Sequence, residues 1–285
     1  MTQKKKYAIG IDIGGTNTKF GIVDHRGDTL YRGVIATNKY ETVEPYLDEL
    51  YEALAPAVEE VGGITTIKGI GIGAPNGNFY TGTIEYAPNL KWKGIIPLAK
   101  LITEKFKVPA ALTNDANAAA IGEMMYGAAK GMKDFIMITL GTGVGSGIVA
   151  NGQLILGHDG FAGELGHVIV IPGGRMHWST GFAGSLEAYA SATGVVMTAV
   201  EFLHAKPQDK SLLRDYAEND IDSRVVYECA MKGDTIAKDV YVFTGKVLGE
   251  ALANFVMFSS PEAIILFGGL TKAGDLILKP TKEHM

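Results

Sequence analysis

The chain has 285 residues, 47% hydrophobic and 20% charged, which is enough apolar material for one large or two ordinary cores; two domains is the expectation. Lys and Arg number 26 against 31 Asp and Glu, a formal net charge of -5. There is no cationic surplus to neutralise a nucleic-acid backbone or an anionic membrane surface, and neither partner is expected.

One cysteine, Cys229, excludes an intrachain disulfide and makes a reducing, cytoplasmic setting the default. The start, Met1 to Lys6, is polar, so no secretory leader is expected, and Lys4-Lys5-Lys6 reads as a solvated tail. No uninterrupted apolar stretch reaches membrane-spanning length, and a soluble protein is expected.

In chain order, Tyr7 to Ile13 and Phe20 to Val23 are β-rich runs flanking Gly14-Gly15-Thr16-Asn17, which predicts a hairpin. Two adjacent glycines let a ligand approach the backbone, and successive amides beside hydroxyls form a donor surface for phosphate oxygens. Asp12, at the end of the first run, supplies the charge that a phosphate-bound metal ion needs. The same residues read equally well as an ordinary Gly-Gly hairpin.

Thr29 to Ala36 predicts a third strand, and apolar residues at helical spacing from Val43 to Val58 predict a helix over Thr42 to Val61, closed by Gly62-Gly63. Ile67 to Gly73 reads as a buried strand delivering Ala74-Pro75-Asn76-Gly77 to its carboxyl end, where open α/β sheets hold ligands. A helix over Pro97 to Phe106 and a strand over Pro109 to Thr113 follow. Asn114-Asp115 then opens an Ala-rich helix, Ala116 to Ala129. An N-cap explains one of these two polar residues and leaves the other for function.

Phe135 to Leu140 predicts a strand, followed by Gly141-Thr142-Gly143-Val144-Gly145-Ser146-Gly147 and a further strand. This second strand, turn and strand makes chance a poor account of the first. It is no Rossmann fingerprint, since no helix follows the glycines. Glu164 and His167 stand three apart and share a face if that segment is one helical turn, and Val168 to Ile171 looks strand-like. Glu187 lies near the start of a helix beginning at Ser185, where the helix dipole alone favours an acid. Three helical segments then lead to a buried strand, Ala263 to Phe267, and a third glycine turn, Gly268-Gly269, able to lie against a flat base or to serve as a simple strand-to-helix turn.

Asp12-x-Gly-Gly-Thr16, Gly141-Thr-Gly-x-Gly and Gly268-Gly269 resemble, in order, the phosphate 1, phosphate 2 and adenosine elements of the sugar kinase, actin and chaperone ATPase superfamily. Asn114-Asp115, Glu164-Leu-Gly-His167 and Leu186-Glu187-Ala188-Tyr189-Ala190-Ser191 narrow the resemblance to the repressor, open reading frame and kinase (ROK) family, and within it to glucokinase-like sugar kinases. The resemblance covers nearly the whole chain. It implies an α/β, two-lobed actin-like ATPase (ribonuclease H-like) fold with a ligand cleft between the lobes. The expected division is a smaller N-terminal domain, 1–115, and a larger C-terminal domain, 116–285.

The resemblance further implies ATP-dependent phosphorylation of a hexose, glucose before others, at the 6-hydroxyl. Asp115 would be the general base. Asn114, Glu164, His167 and Glu187, with Asn76, would hold the other hydroxyls. Gly14, Gly15, Thr16, Thr18, Lys19, Gly141, Thr142, Gly143, Gly268 and Gly269 would bind ATP, and Asp12 would meet Mg²⁺ through water. A cytoplasmic homodimer is implied. The alternatives are an N-acetylhexosamine or fructose kinase, an inactive sugar-binding protein, or a repressor; the last needs a helix-turn-helix ahead of Tyr7.

Two departures stand out. Between His167 and Glu187 the family usually carries three cysteines that bind a structural zinc with the histidine, whereas this stretch contains none. No zinc is expected. His158 and His177 are read as solvated or core-packed rather than as metal ligands, and the loop as held by packing of Trp178 and Phe182. The family's chains also usually continue beyond the third glycine turn, where this one stops at Met285.

Overall fold

Alternating inward Ile9, Ile11 and Ile13 make β1 (Tyr7–Ile13) a strand with one buried face. The computed structural model describes residues 5–285. Lys5 and Lys6 are exposed, whereas Lys4, and with it most of the polar Met1 to Lys6 stretch, lies outside the described residues.

The first unit continues with β2 (Asn17–Val23), β3 (Thr29–Ala36), α1 (Val43–Glu60), β4 (Ile67–Ala74), β5 (Gly77–Asn78), β6 (Thr83–Glu85), β7 (Ile95–Ile96), α2 (Leu98–Phe106), β8 (Ala110–Asn114) and α3 (Asp115–Tyr126). Its main sheet has the order β3-β2-β1-β4-β8, and β5-β6-β7 form a small second sheet. The first three strands are antiparallel neighbours, and β1, β4 and β8 run parallel. The β2 strand starts earlier than Phe20 because Asn17 already pairs with Ala36. In α1, Tyr46, Leu50 and Leu54 are fully buried against the sheet, each side chain contributing on the order of 1.5–3 kcal/mol. Gly62 and Gly63 follow its end with positive φ, and the Gly63 amide donates to Val58 O at 2.9 Å.

The second unit holds β9 (Phe135–Leu140), β10 (Val144–Ala150), β11 (Gln153–Leu154), α4 (Glu187–Ala190), α5 (Ala192–Ala205), α6 (Ser223–Met231), α7 (Thr235–Ser259), β12 (Ala263–Phe267) and α8 (Asp275–His284). Its sheet order is β11-β10-β9-β12, with β12 parallel to β9. The core joins β9 and β10 to α4 through α7. Among the described residues α7 alone is long and apolar enough by composition to cross a membrane, and 56% of its most apolar window is buried inside this unit, as a core helix would be. Cys229, on α6, is buried; burial first and the Asp234 carboxylate second push its thiol pKa up.

By packing, the units are Met1–Gly131 with Leu154–Gly163, and Met132–Gln153 with Glu164–Met285. This division differs from 1–115 and 116–285: α3 stays with the sheet it packs on, and the segment after β11 returns to the first unit. Two further differences are local. Val168 to Ile171 is no strand, making only an isolated bridge from Ile169 to Ser185. The helix expected from Ser185 breaks at Ser191, whose extended backbone and side chain, accepting from the Gly194 amide at 2.9 Å, cap a new helix.

Candidate active site

The predicted residues fall into two sets, one within each unit. In the first, parallel β1, β4 and β8 bring three carboxyl ends side by side: Asp12 pairs in register with Gly73, and Ala74 with Asn114. Asn114 is the N-cap of α3, its Oδ1 accepting the Ala116 amide at 2.8 Å. Asp115 is the first helical residue, and its Oδ1 shares the same amide at 2.8 Å. Capping is therefore satisfied without Asp115. Although Asp115 is accessible, the protein around it leaves too little water to solvate the charge fully, and this desolvation raises its carboxyl pKa; the Ala116 hydrogen bond opposes it and the Asp12 charge adds to it.

The first glycine turn is closed by the Gly14 amide donating to Asn17 O at 3.0 Å, and Thr16 O accepts the Thr37 amide at 2.8 Å. Thr16 and Lys19 are exposed. Thr18 requires correction as an ATP ligand: it is 0% exposed, and its hydroxyl is shared with Thr37 Oγ1 at 2.8 Å and Tyr46 Oη at 3.0 Å. It is a core hydrogen-bonding group. Thr18→Val is expected to cost about 1–3 kcal/mol by stranding two buried hydroxyls, measured by urea denaturation, with the KM for ATP unchanged. Asn76 adopts φ 51° and donates one amide N–H to Glu85 O at 2.9 Å, leaving its second N–H and Oδ1 for a ligand.

In the second unit, Gly141 to Gly143 form a turn closed by the Gly141 amide on Gly143 O at 2.9 Å, while Gly141 O accepts the Ala192 amide at the start of α5. Glu187 reaches back to this turn and accepts the Val144 amide on Oε2 at 2.6 Å. A Cβ at Gly143 would collide with that carboxylate. Gly143 thus has a structural duty besides the phosphate contact expected of it. Glu164 stands at the N-cap position of a 3₁₀ turn, Leu165–His167, without a side-chain capping bond, and the Leu165 amide donates to Ser146 Oγ at 3.0 Å. Buried His167 Nδ1 has no hydrogen-bond partner among the described residues, the kind of orphan that marks a ligand or water contact.

A cavity of about 470 Å³ lies beside the turn, lined in part by Gly141, Thr142, Tyr227, Tyr241, Gly269 and Lys272. Its size suits a nucleoside. Gly268, at φ 111°, turns the chain over Leu140 O with no room for a Cβ. Tyr227, Tyr241 and Lys272 carried no sequence signal, being spread over α6, α7 and the turn after β12. Burial pushes the Tyr241 phenol up to about 12, so it remains a donor.

The cysteine-free loop is not held by Trp178 and Phe182, which are 72% and 53% exposed. Hydrogen bonds hold it instead. Arg175, its side chain buried and stacked 4.5 Å over the Tyr189 ring, binds Glu201 and the carbonyls of Ala188 and Gly194. His177 is 3% exposed and in hydrogen-bond contact with Glu187, so it is core-packed as expected. Among the described residues no group of three or more His, Cys, Asp or Glu is placed to hold a metal ion.

Comparison with known proteins agrees with this architecture. The model of the ROK family matches residues 8–285. A curated glucokinase from Halalkalibacterium halodurans is 38% identical over 282 residues, covering 98% of this chain and 85% of that one. The crystal structure of a ROK family glucokinase from Streptomyces griseus in complex with glucose and AMPPNP superposes with a TM-score of 0.79 at 35% identity, covering 98% of this chain and 88% of that one. The ROK hexokinase of Thermus thermophilus gives a TM-score of 0.80 at 29% identity, with 98% and 88% covered. These solved sugar kinases have the actin-like ATPase fold that the glycine turns led one to expect. Matched from residue 8 to its last residue, and 38% identical to a curated glucokinase, the chain belongs to the ROK family.

Proposed function

We propose that the chain transfers the terminal phosphoryl group of ATP to the 6-hydroxyl of a hexose, glucose being the first acceptor to test, with Asp115 as general base. That the enzyme is an ATP-dependent sugar kinase rests on its glucokinase relatives and on the solved ROK sugar kinases. The observation carrying the base assignment is the setting of Asp115: Asn114 already caps α3, and desolvation with the Asp12 charge raises the Asp115 pKa. A carboxylate more basic than a free one is better matched to accepting a hydroxyl proton near neutral pH.

In this reading Asp115 accepts a hydrogen bond from the attacking hydroxyl and takes its proton as the new P–O bond forms. Asn114, Glu164, His167 and Glu187, with Asn76 through its Oδ1 and its second amide N–H, hold the remaining hydroxyls, carboxylates accepting and His167 pairing through its ring nitrogens. Amides of Gly15 and Thr16 in the first turn and of Thr142 and Gly143 in the second, with Lys19, receive phosphate oxygens, while the Gly14 and Gly141 amides close their turns and leave these two residues to give the ligand room; the cavity beside Gly269 receives the nucleoside. The residues present fit Mg²⁺, since Asp12 offers a hard, exposed oxygen ligand at a strand end beside a second carboxylate. Bound there through water, the ion would neutralise charge on the donor phosphates.

A coupled assay with ATP, Mg²⁺ and a panel of glucose, mannose, fructose and N-acetylglucosamine tests the reading. Turnover is expected, highest with glucose. A different preferred sugar would reassign the acceptor, and sugar binding with no turnover would make the chain an inactive sugar-binding protein. The assembly proposed is a homodimer, to be checked by light scattering.

A further inference from the structure

His177 has no part in the chemistry above, yet its surroundings define one. Its Nδ1 faces the amides of Thr180 at 3.2 Å and Ser179 at 3.4 Å, and the hydroxyls of the same residues at 3.0 and 3.3 Å. Amide N–H groups only donate, so Nδ1 must accept, and the single proton of a neutral imidazole then sits on Nε2. That nitrogen is in hydrogen-bond contact with Glu187 Oε1, while Glu187 Oε2 takes the Val144 amide. Each carboxylate oxygen thus has one fixed donor and keeps lone-pair capacity for a hydroxyl.

The imidazole itself is held still. The His177 amide donates to Phe182 O at 2.8 Å, and its carbonyl accepts the Gly181 amide at 3.2 Å. His167 stands edge-on at 5.4 Å and the Trp178 ring lies tilted against the imidazole at 5.9 Å. We propose that His177 is a positioning residue of the sugar site: its Nε2–H fixes the Glu187 carboxylate in the orientation that meets the acceptor's hydroxyls. The inference rests on Glu187 being a sugar ligand. Without that donor the carboxylate retains one anchor, at Val144, and turns about it.

The test measures KM for sugar and for ATP separately in the wild type, His177→Phe and His177→Gln, and records the imidazole N–H proton resonance of the wild type by NMR. In His177→Phe the sugar KM is expected to rise about tenfold or more while the ATP KM stays within about twofold. His177→Gln, which can still present an N–H to Glu187, should recover part of the loss. A sugar KM unchanged in His177→Phe, or equal rises in both KM values, overturns the proposal. The NMR arm needs no turnover: a ring N–H shifted far downfield in the wild type, and moved upfield in Glu187→Gln, supports the hydrogen bond, and its absence overturns the proposal even where His177→Phe fails to fold. If the wild type turns over no sugar while that resonance is present, the kinase reading fails and the Glu187–His177 pair stands.

Discussion

Asp115→Asn is expected to lower kcat by about 10²–10⁴-fold, the usual worth of a general base, with the KM for ATP within about twofold. Asn keeps the side-chain oxygen that accepts the Ala116 amide, so α3 should form as before. The same residue sets the acid limb of the wild-type pH profile. Because its pKa is raised, activity should fall with decreasing pH at values above the roughly 3.9 of an unperturbed Asp. In the metal-free protein Asp12→Asn removes one of the causes that raise it and should move the Asp115 titration, followed by NMR, to lower pH. The stability effect has a fixed sign. A carboxyl whose folded pKa exceeds its unfolded one favours the folded state at low pH, and that advantage is lost as pH rises through the folded value. At neutral pH, Asp115→Asn should therefore melt at or above the wild-type temperature; a clear fall would mean that the charged carboxylate has a structural partner.

Gly143→Ala is the second large effect. The added Cβ would occupy the space of the Glu187 carboxylate, forcing it off the Val144 amide and away from His177. A loss of about tenfold or more in kcat/KM for the sugar is expected, with about 1–3 kcal/mol in urea denaturation for the Val144 amide left without its acceptor. Gly141→Ala is the control. Its Cβ meets nothing nearer than Gly143 O at 4.0 Å, so Glu187 stays in place and any effect should appear in the KM for ATP alone. If Gly143→Ala instead changed only the ATP KM, the carboxylate's place on this turn would carry no weight for the sugar.

Much of this was legible in the chain because it is local. Glycine clusters at strand ends, the spacing of Val43, Tyr46, Leu50 and Leu54 along α1, and the Asn114 cap depend on neighbours within a few residues. Thr18 could also have been placed correctly. It shares the period of Phe20 and Ile22 in β2, all three buried, while its neighbours Asn17 and Lys19 are exposed; strand parity outweighs its position in a ligand motif. The loop after His167 was beyond such reasoning. Its aromatic residues suggested packing, but its anchors are Arg175 reaching Glu201 and His177 reaching Glu187, pairs created only when α4 and α5 fold against it. The break at Ser191 was hidden by continuous helical spacing on both sides. The cavity's tyrosines and lysine converge from three separate elements and share no spacing.

The thiol chemistry of the chain has a consequence for how it fares under oxidative stress. Cys229 is shielded in α6 and its pKa is raised, so little of it exists as the thiolate that peroxide and electrophiles attack. Between His167 and Glu187 the sole sulfur is the exposed thioether of Met176. Alkylating agents and mercurials that silence thiol-dependent enzymes should leave this one turning over, and damage from hypochlorite should register first as a methionine sulfoxide.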